Sequence, residues 1–194
     1  MRLVVFDLDG TLVEFNIPVE RIKSLLGIRG SILEEIMRSE NAPEMLQILE
    51  RHEVESARNS RLYPGVREFL ELLGEHGVVT ALYTRNSWKS VRINLKKHRL
   101  SFDYVFTRED DVKPSPLPVL HLMEEVNAGR NDTAMVGDYL FDYQTARNAG
   151  IQFWMHVNER NRDFLDRFSI RPDLTFSSFY ELSGIVRRML NGSR

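Results

Sequence analysis

Cysteine is absent from this chain of 194 residues. Its absence excludes disulfide bonds, thiolate nucleophiles and metal sites built on cysteine. The five histidines are scattered along the chain rather than paired at the spacing of zinc ligands, so we expect no zinc site.

Long hydrophobic runs and concentrated charge are also missing. No apolar run approaches the ~20 residues of a membrane-spanning helix, and no charged stretch followed by an apolar secretory segment opens the chain. Acidic and basic residues are mixed, with a formal net charge of -2, so there is no basic patch for nucleic acid or a membrane surface. We expect a cytoplasmic protein without nucleic-acid or membrane partners, and its oligomeric state is not indicated.

Strand-like and helix-like segments alternate along most of the chain. With 42% apolar residues to form a core, this alternation predicts a Rossmann-like open parallel sheet with helices on both faces, a three-layer α/β/α fold. We predict strands at 3–7, 78–83, 104–107, 133–136, 151–156 and, more weakly, 174–176. The predicted helices of these layers lie at 66–76, 87–97, 117–126, 143–148 and 179–190.

The segment that follows the first strand breaks this alternation. It has no strand-like run, and its pattern predicts helices at 19–26, 31–38 and 43–55. Pro64-Gly65 marks the return to the alternating pattern. We therefore predict an α/β core domain formed by residues 1–14 and 63–194, with a helical domain inserted at residues 15–62.

The first strand leads directly into a pair of carboxylates. Asp7 and Asp9 stand two residues apart, so an extended backbone points both side chains to one side. Gly10 permits a sharp turn after them, and Thr11 offers a hydroxyl at its mouth. Two acids this close repel each other unless a cation lies between them or one is protonated. The alternative interpretation is an acidic turn that caps a helix.

Polar residues end two further predicted strands and precede a helix. Thr84 follows the second strand, Lys113 stands before a helix in Lys-Pro-Ser-Pro, and Asp138 follows the strand at 133–136, with Asp142 four residues later. Ligands of open parallel sheets bind outside the carboxyl ends of the strands. We therefore expect Asp7, Thr84 and Asp138 to converge at one edge of the sheet.

These segments, in this order, resemble the motifs of the haloacid dehalogenase superfamily, and within it those of the phosphoglycolate-phosphatase-type hydrolases. The similarity extends over nearly the whole chain. It implies that the inserted segment is a helical cap, shorter than is usual in phosphoglycolate phosphatases. It also implies a Mg²⁺-dependent phosphatase that hydrolyses a small phosphomonoester through an aspartyl-phosphate.

The resemblance implies roles for the acidic residues. Asp7 would be the nucleophile, and Asp9 the general acid and base. Asp7, Asp138 and the backbone carbonyl of Asp9 would hold Mg²⁺, a hard cation that prefers oxygen ligands. Thr11 would lie behind the metal ligands and support them.

The remaining candidates, apart from Asp142, would bind the phosphate or the rest of the substrate. Thr84 would donate its hydroxyl to a phosphate oxygen, and Lys113 would neutralise the phosphate and hold the nucleophile in place. Arg85 and Asn86 could reach the substrate, Arg85 at its phosphate, or belong to a solvated helix start. Asp142 could orient a metal-bound water or cap the helix that follows. Arg29, in a glycine-flanked loop, could touch an anionic leaving group or lie in a plain helix–helix turn.

Two other functions remain open at this point. A sugar phosphomutase uses the same scaffold, but it must hold a bisphosphate, and the short cap shows no second cluster of cations. A non-catalytic binding module would be expected to lack the nucleophile, and Asp7 is present. The sequence does not identify the substrate.

Overall fold

A single parallel sheet organises the molecule. The computed structural model describes residues 1–191, and within them it contains a six-stranded sheet in the order β3-β2-β1-β4-β5-β6. The predicted fold class, an open parallel sheet in a three-layer α/β/α arrangement, is confirmed. The strands are β1 (Leu3–Phe6), β2 (Val79–Tyr83), β3 (Tyr104–Phe106), β4 (Thr133–Gly137), β5 (Gln152–His156) and β6 (Leu174–Phe176).

Most helices lie close to their predicted positions, with three differences. A short helix near residue 165 was not predicted, the helix after β4 begins at Leu140 rather than at 143, and the helix predicted at 43–55 continues to Asn59. The earlier start follows from the Asp142 carboxylate, which accepts the backbone N–H of Tyr139 at 3.1 Å. The helices are α1 (Val19–Leu26), α2 (Ile32–Met37), α3 (Ala42–Asn59), α4 (Val66–Glu75), α5 (Trp88–His98), α6 (Leu117–Glu125), α7 (Leu140–Ala149), α8 (Phe164–Arg167) and α9 (Phe179–Asn191).

The central strand β1 is buried on both faces of the sheet. Val4 and Phe6 contribute to the apolar core on one face, while Leu3 and Val5 contribute to the core on the other. This arrangement explains the continuous apolar run, since a strand covered on both sides has no solvent-facing positions. None of the helices in residues 1–191 is long and apolar enough to cross a bilayer.

The strand register determines where the polar residues emerge. Phe6 lies beside Leu82 of β2 and beside Val136 of β4. Because all three strands run in parallel, Asp7, Thr84 and Asp138 leave the sheet at the same edge. The convergence predicted from the sequence is therefore a consequence of the register.

Residues 15–62, which we call the helical insert, contain α1, α2 and α3. The insert has its own small apolar cluster, and α3 packs along α5. Its two ends meet, because Val13 forms an antiparallel bridge with Leu62 and the Glu14 N–H donates to the Arg61 carbonyl at 2.8 Å. The division into core domain and cap stays a prediction.

Phe69 on α4 should be essential for stability. Its ring lies 6.0 Å from that of Phe6 and 5.7 Å from that of Phe179, measured between centroids. We expect Phe69→Ala to lower the free energy of unfolding by about 3–5 kcal/mol, because the cavity it leaves cannot close fully. Urea unfolding followed by circular dichroism would measure the loss. The exposed Leu117 provides the control, and an equal loss for Leu117→Ala would contradict this assignment of the core.

Candidate active site

A buried ammonium group lies between two carboxylates at the edge of the sheet. Lys113 Nζ donates to Asp7 Oδ1 at 2.5 Å and to Asp142 Oδ1 at 2.5 Å. Lys113 is only 1% exposed, so solvent does not weaken these contacts as it would at the surface. The lysine fixes the position of Asp7.

Asp138 lies on the other side of Asp7, and a hydroxyl joins the two. Thr11 Oγ is 3.2 Å from Asp7 Oδ2 and 3.2 Å from Asp138 Oδ1. Gly10 makes this approach possible, because a Cβ at its position would lie 2.2 Å from Asp138 Oδ2. Its φ of +91° is also in the region that favours glycine.

Three carboxylates form a group that could hold a metal ion. One oxygen from each of Asp7, Asp138 and Asp142 lies within 4.8 Å of the other two. Asp142 also accepts backbone N–H groups at the start of α7. It therefore makes the helix-capping contact and also lies beside the other two acids, so neither of its two predicted roles is excluded.

The concentration of negative charge shifts the pKa values of this group. Burial raises the pKa of Asp7 to about 6, although the neighbouring Lys113 acts against the rise. Burial, with the charges of Asp7 and Asp142, also raises the pKa of Asp138 well above its usual value. Burial alone would lower the pKa of Lys113, but the two carboxylates beside it raise the pKa, so the lysine stays charged.

The side chain of Asp9 is held by Asn86, which follows the end of the neighbouring strand β2. The side-chain amide of Asn86 donates to Asp9 Oδ2 at 2.5 Å. Burial first, and then the charge of Asp7, raise the pKa of Asp9 to about 7. Asp9 can therefore exchange a proton near neutral pH, which a carboxyl at its ordinary pKa would do poorly.

Arg85 is engaged with the helical insert. Its guanidinium donates to both carboxylate oxygens of Glu34 on α2, each at 2.8 Å, and lies 4.0 Å from the centre of the Phe141 ring. It also donates to the backbone carbonyl of Lys113. Thr84 is buried, and its hydroxyl oxygen accepts the Asn86 N–H at 3.3 Å.

A cavity of about 1090 Å³ opens between this edge of the sheet and the helical insert. Its wall contains Asp7, Asp9, Thr84, Arg85, Lys113, Asp138 and Asp142, together with cations from α1 and from the loop before α8. Arg29 is exposed and is not among the lining residues. The structure thus brings the predicted polar residues together, apart from Arg29.

The sequence did not lead us to predict Glu53 as a site residue. Its side chain extends from α3 to the wall of the cavity and is only 3% exposed. A signal was available, because Glu53 stands between Leu49 and Ala57 on one stripe of the helix. A carboxylate in an apolar stripe needs a buried partner.

Comparison with known proteins identifies the family of the chain. A family model described as haloacid dehalogenase-like hydrolase matches residues 14–156. The chain belongs to this family.

Similar proteins align along almost their full length. A phosphoglycolate phosphatase of Mannheimia succiniciproducens is 29% identical, with 95% of this chain and 98% of the relative covered. A pyrophosphatase of Halalkalibacterium halodurans is 29% identical, with 96% and 97% covered. A hydrolase structure from Pseudomonas syringae has the same fold, with a TM-score of 0.77 at 18% identity over 97% of this chain and 99% of that one.

These findings confirm the predicted superfamily and its phosphoglycolate-phosphatase-like type. They also confirm the predicted enzyme class, a phosphoric monoester hydrolase. In this haloacid dehalogenase-like hydrolase, the candidate site lies at the edge where β1, β2 and β4 end.

Gly10 should be needed for cation binding at this edge. We expect Mg²⁺ to raise the Tm of the wild type and Gly10→Ala to abolish that rise, because the new Cβ would displace the Asp138 carboxylate. Thermal unfolding with and without Mg²⁺ would measure this. Gly74→Ala on α4 is the control, since a Cβ there meets nothing within 4 Å. An unchanged Mg²⁺ effect in Gly10→Ala would show that Asp138 is not a ligand.

Proposed function

We propose that this hydrolase is a Mg²⁺-dependent phosphatase that transfers the phosphoryl group of a small phosphomonoester to Asp7 and then to water. The observation that carries the proposal is the buried contact between Asp7 and Lys113 at 2.5 Å. It presents a fixed carboxylate oxygen in a cavity that also contains Asp9. A carboxylate held in this way is suited to covalent catalysis.

The donor set at the site fits Mg²⁺. The available ligands are all oxygens, and more carboxylates than ammonium groups lie at this edge, which favours a hard divalent cation. Asp7, Asp138 and the backbone carbonyl of Asp9 would hold it. When bound, Mg²⁺ would reduce the repulsion between Asp7 and the incoming phosphate and stabilise charge that develops during transfer.

The first half-reaction joins Asp7 to phosphorus. An Asp7 oxygen attacks, the bond between phosphorus and the ester oxygen breaks, and the leaving alkoxide takes a proton from Asp9. Lys113 offsets the charge of the phosphoryl group, and the Thr84 hydroxyl donates to one of its oxygens. Asp9 holds the required proton because its pKa is raised to about 7.

The second half-reaction returns the enzyme to its starting state. Asp9, now ionised, accepts a proton from water, whose oxygen attacks phosphorus. The bond between phosphorus and Asp7 breaks, which releases inorganic phosphate. A carboxyl that gives and then takes a proton works best with a pKa near the working pH.

The helical insert is proposed to act as a cap that limits the entry of water and selects the substrate. The similar phosphoglycolate phosphatase and pyrophosphatase support a small phosphorylated compound as the substrate. Arg29 remains a candidate for contact with the leaving group, and Arg85 for contact with the phosphate. The cytoplasmic location also remains a prediction.

Removal of divalent metal should stop turnover. We expect EDTA to abolish phosphate release from a phosphomonoester and excess Mg²⁺ to restore it, because the repulsion between Asp7 and the phosphate would otherwise remain. A malachite-green assay on a panel of phosphomonoesters measures both effects. In parallel, Asp138→Asn should need much more Mg²⁺ for half-maximal activity. Full turnover in metal-free buffer would contradict the proposed metal role.

Asp7→Asn should remove the nucleophile while the fold remains. We expect a loss of at least about 10³-fold in turnover, as is typical when a covalent nucleophile is removed. The exposed Asp166 provides a matched control, and Asp166→Asn should keep wild-type turnover. Wild-type turnover by Asp7→Asn would exclude the aspartyl-phosphate.

A reaction in ¹⁸O-labelled water separates hydrolysis from mutase chemistry. The wild-type enzyme should release phosphate that contains one oxygen from solvent. An isomeric sugar phosphate formed without release of phosphate would instead indicate the mutase.

A further inference from the structure

A buried ion pair joins the helical insert to the loop that carries Asn86. Arg108, which follows β3, donates to Glu53 Oε1 on α3. Both side chains are nearly inaccessible to solvent. Removal of one partner of such a pair is strongly destabilising, although the intact pair adds little net stability. Stability alone therefore does not account for its presence beside the cavity.

The pair holds residues 84–87, which we call the Asn86 loop, from two directions. Glu53 Oε2 accepts the backbone N–H of Ser87 at 3.1 Å. The backbone N–H of Arg108 donates to the Asn86 carbonyl at 3.2 Å. Both hydrogen bonds are made by the peptide group between Asn86 and Ser87, so this group is fixed by the insert through its N–H and by the core through its carbonyl.

The fixed side chain is the one that contacts Asp9. Asn86 Nδ2 donates to Asp9 Oδ2 at 2.5 Å, and the Asn86 N–H donates to Thr84 Oγ. An Asp9 carboxyl with a free side chain would occupy several rotamers, most of which do not face the leaving oxygen. The hydrogen bond from the Asn86 side-chain amide selects one of these rotamers.

We propose that Asn86 and Glu53 are positioning residues for Asp9: Glu53 fixes the Asn86 loop, and Asn86 orients the Asp9 carboxyl toward the leaving group. The helical insert thereby contributes to the proton transfer through α3, in addition to covering the cavity. This inference rests on the proposed function, because it requires Asp9 to protonate the leaving group.

The dependence of kcat/KM on the leaving group distinguishes a positioning role of Asn86 from a merely structural one. An alkyl phosphate releases an alkoxide, which must be protonated as the bond to phosphorus breaks. The p-nitrophenyl ester releases a stable phenolate that leaves without a proton. Because kcat/KM covers the steps up to transfer to Asp7, a misplaced Asp9 should lower kcat/KM for the alkyl ester selectively.

The first test uses Asn86→Ala with both esters. We expect kcat/KM to fall at least about tenfold for the alkyl phosphate but less than about threefold for p-nitrophenyl phosphate. Equal losses would overturn the inference, since they would show that Asn86 binds the phosphate itself. If the wild type releases phosphate from no member of the phosphomonoester panel, the proposed function is wrong and the inference falls with it. If the wild type cleaves both and the variant loses both equally, only the inference is wrong.

The second test asks whether Glu53 acts through Asn86. Glu53→Ala should show the same selective loss, and Glu53→Ala/Asn86→Ala should lose no more than Asn86→Ala alone. Losses that multiply would overturn the link. The control is Glu50→Ala, which removes a different ion pair of α3, the 2.9 Å contact with Lys89 on α5. It should change neither ester's kcat/KM.

If the unpaired Arg108 prevents Glu53→Ala from folding, a further pair of variants tests the same role of Glu53. In an Arg108→Gln background no unpaired cation is left beside position 53, and Glu53→Gln and Glu53→Ala then differ in the acceptor that they offer to the Ser87 N–H. We expect Glu53→Gln to keep the wild-type preference between the two esters and Glu53→Ala to lose it. The same preference in both would overturn the role of Glu53.

Discussion

The site depends on one buried ammonium group. Lys113 contacts Asp7 and Asp142 at the same distance, while Asp138 lies close enough to share a cation with both. Carboxylates packed this closely would repel each other and favour protonated forms. The lysine keeps one of them in place, and the remaining negative charge makes the edge of the sheet attractive to a cation. The positions of Asp7 and of Asp142, which caps α7, both depend on this balance.

Much of the fold could be predicted because its signals are local. The apolar run before Asp7 indicates a strand buried on both faces, and the alternation of strands with helices indicates a parallel sheet. Once the strands are parallel, residues that follow them must meet at one edge. Asp7, Thr84 and Asp138 could therefore be placed together without knowledge of any contact. The short helix α8 was missed, since four residues are too few to show a helical period.

The contacts that could not be predicted join residues far apart in the sequence. Arg85 follows a strand end and suggested phosphate binding, yet its guanidinium contacts Glu34 on α2. Asn86 was expected to reach the substrate or lie at a solvated helix start, and its contact with Asp9 depends on how the ends of β1 and β2 sit together. Glu53 and Arg108 form an ion pair although they are 55 residues apart in the sequence. Such pairings follow from tertiary packing, which spacing along the chain does not encode.

The helical insert is attached to the core as a closed loop. Because Val13 and Leu62 form a bridge, the insert leaves and rejoins the core at neighbouring points, and the core need not stretch to accommodate it. The entropy of closing a loop grows only slowly with its length, so longer or shorter inserts could occupy the same junction with little effect on core stability. Substrate preference could then diversify by exchange of the insert, while the residues of the candidate site stay at the ends of the strands. Such an exchange would have to supply a new acceptor in place of Glu53, and this requirement would limit which modules the core can accept.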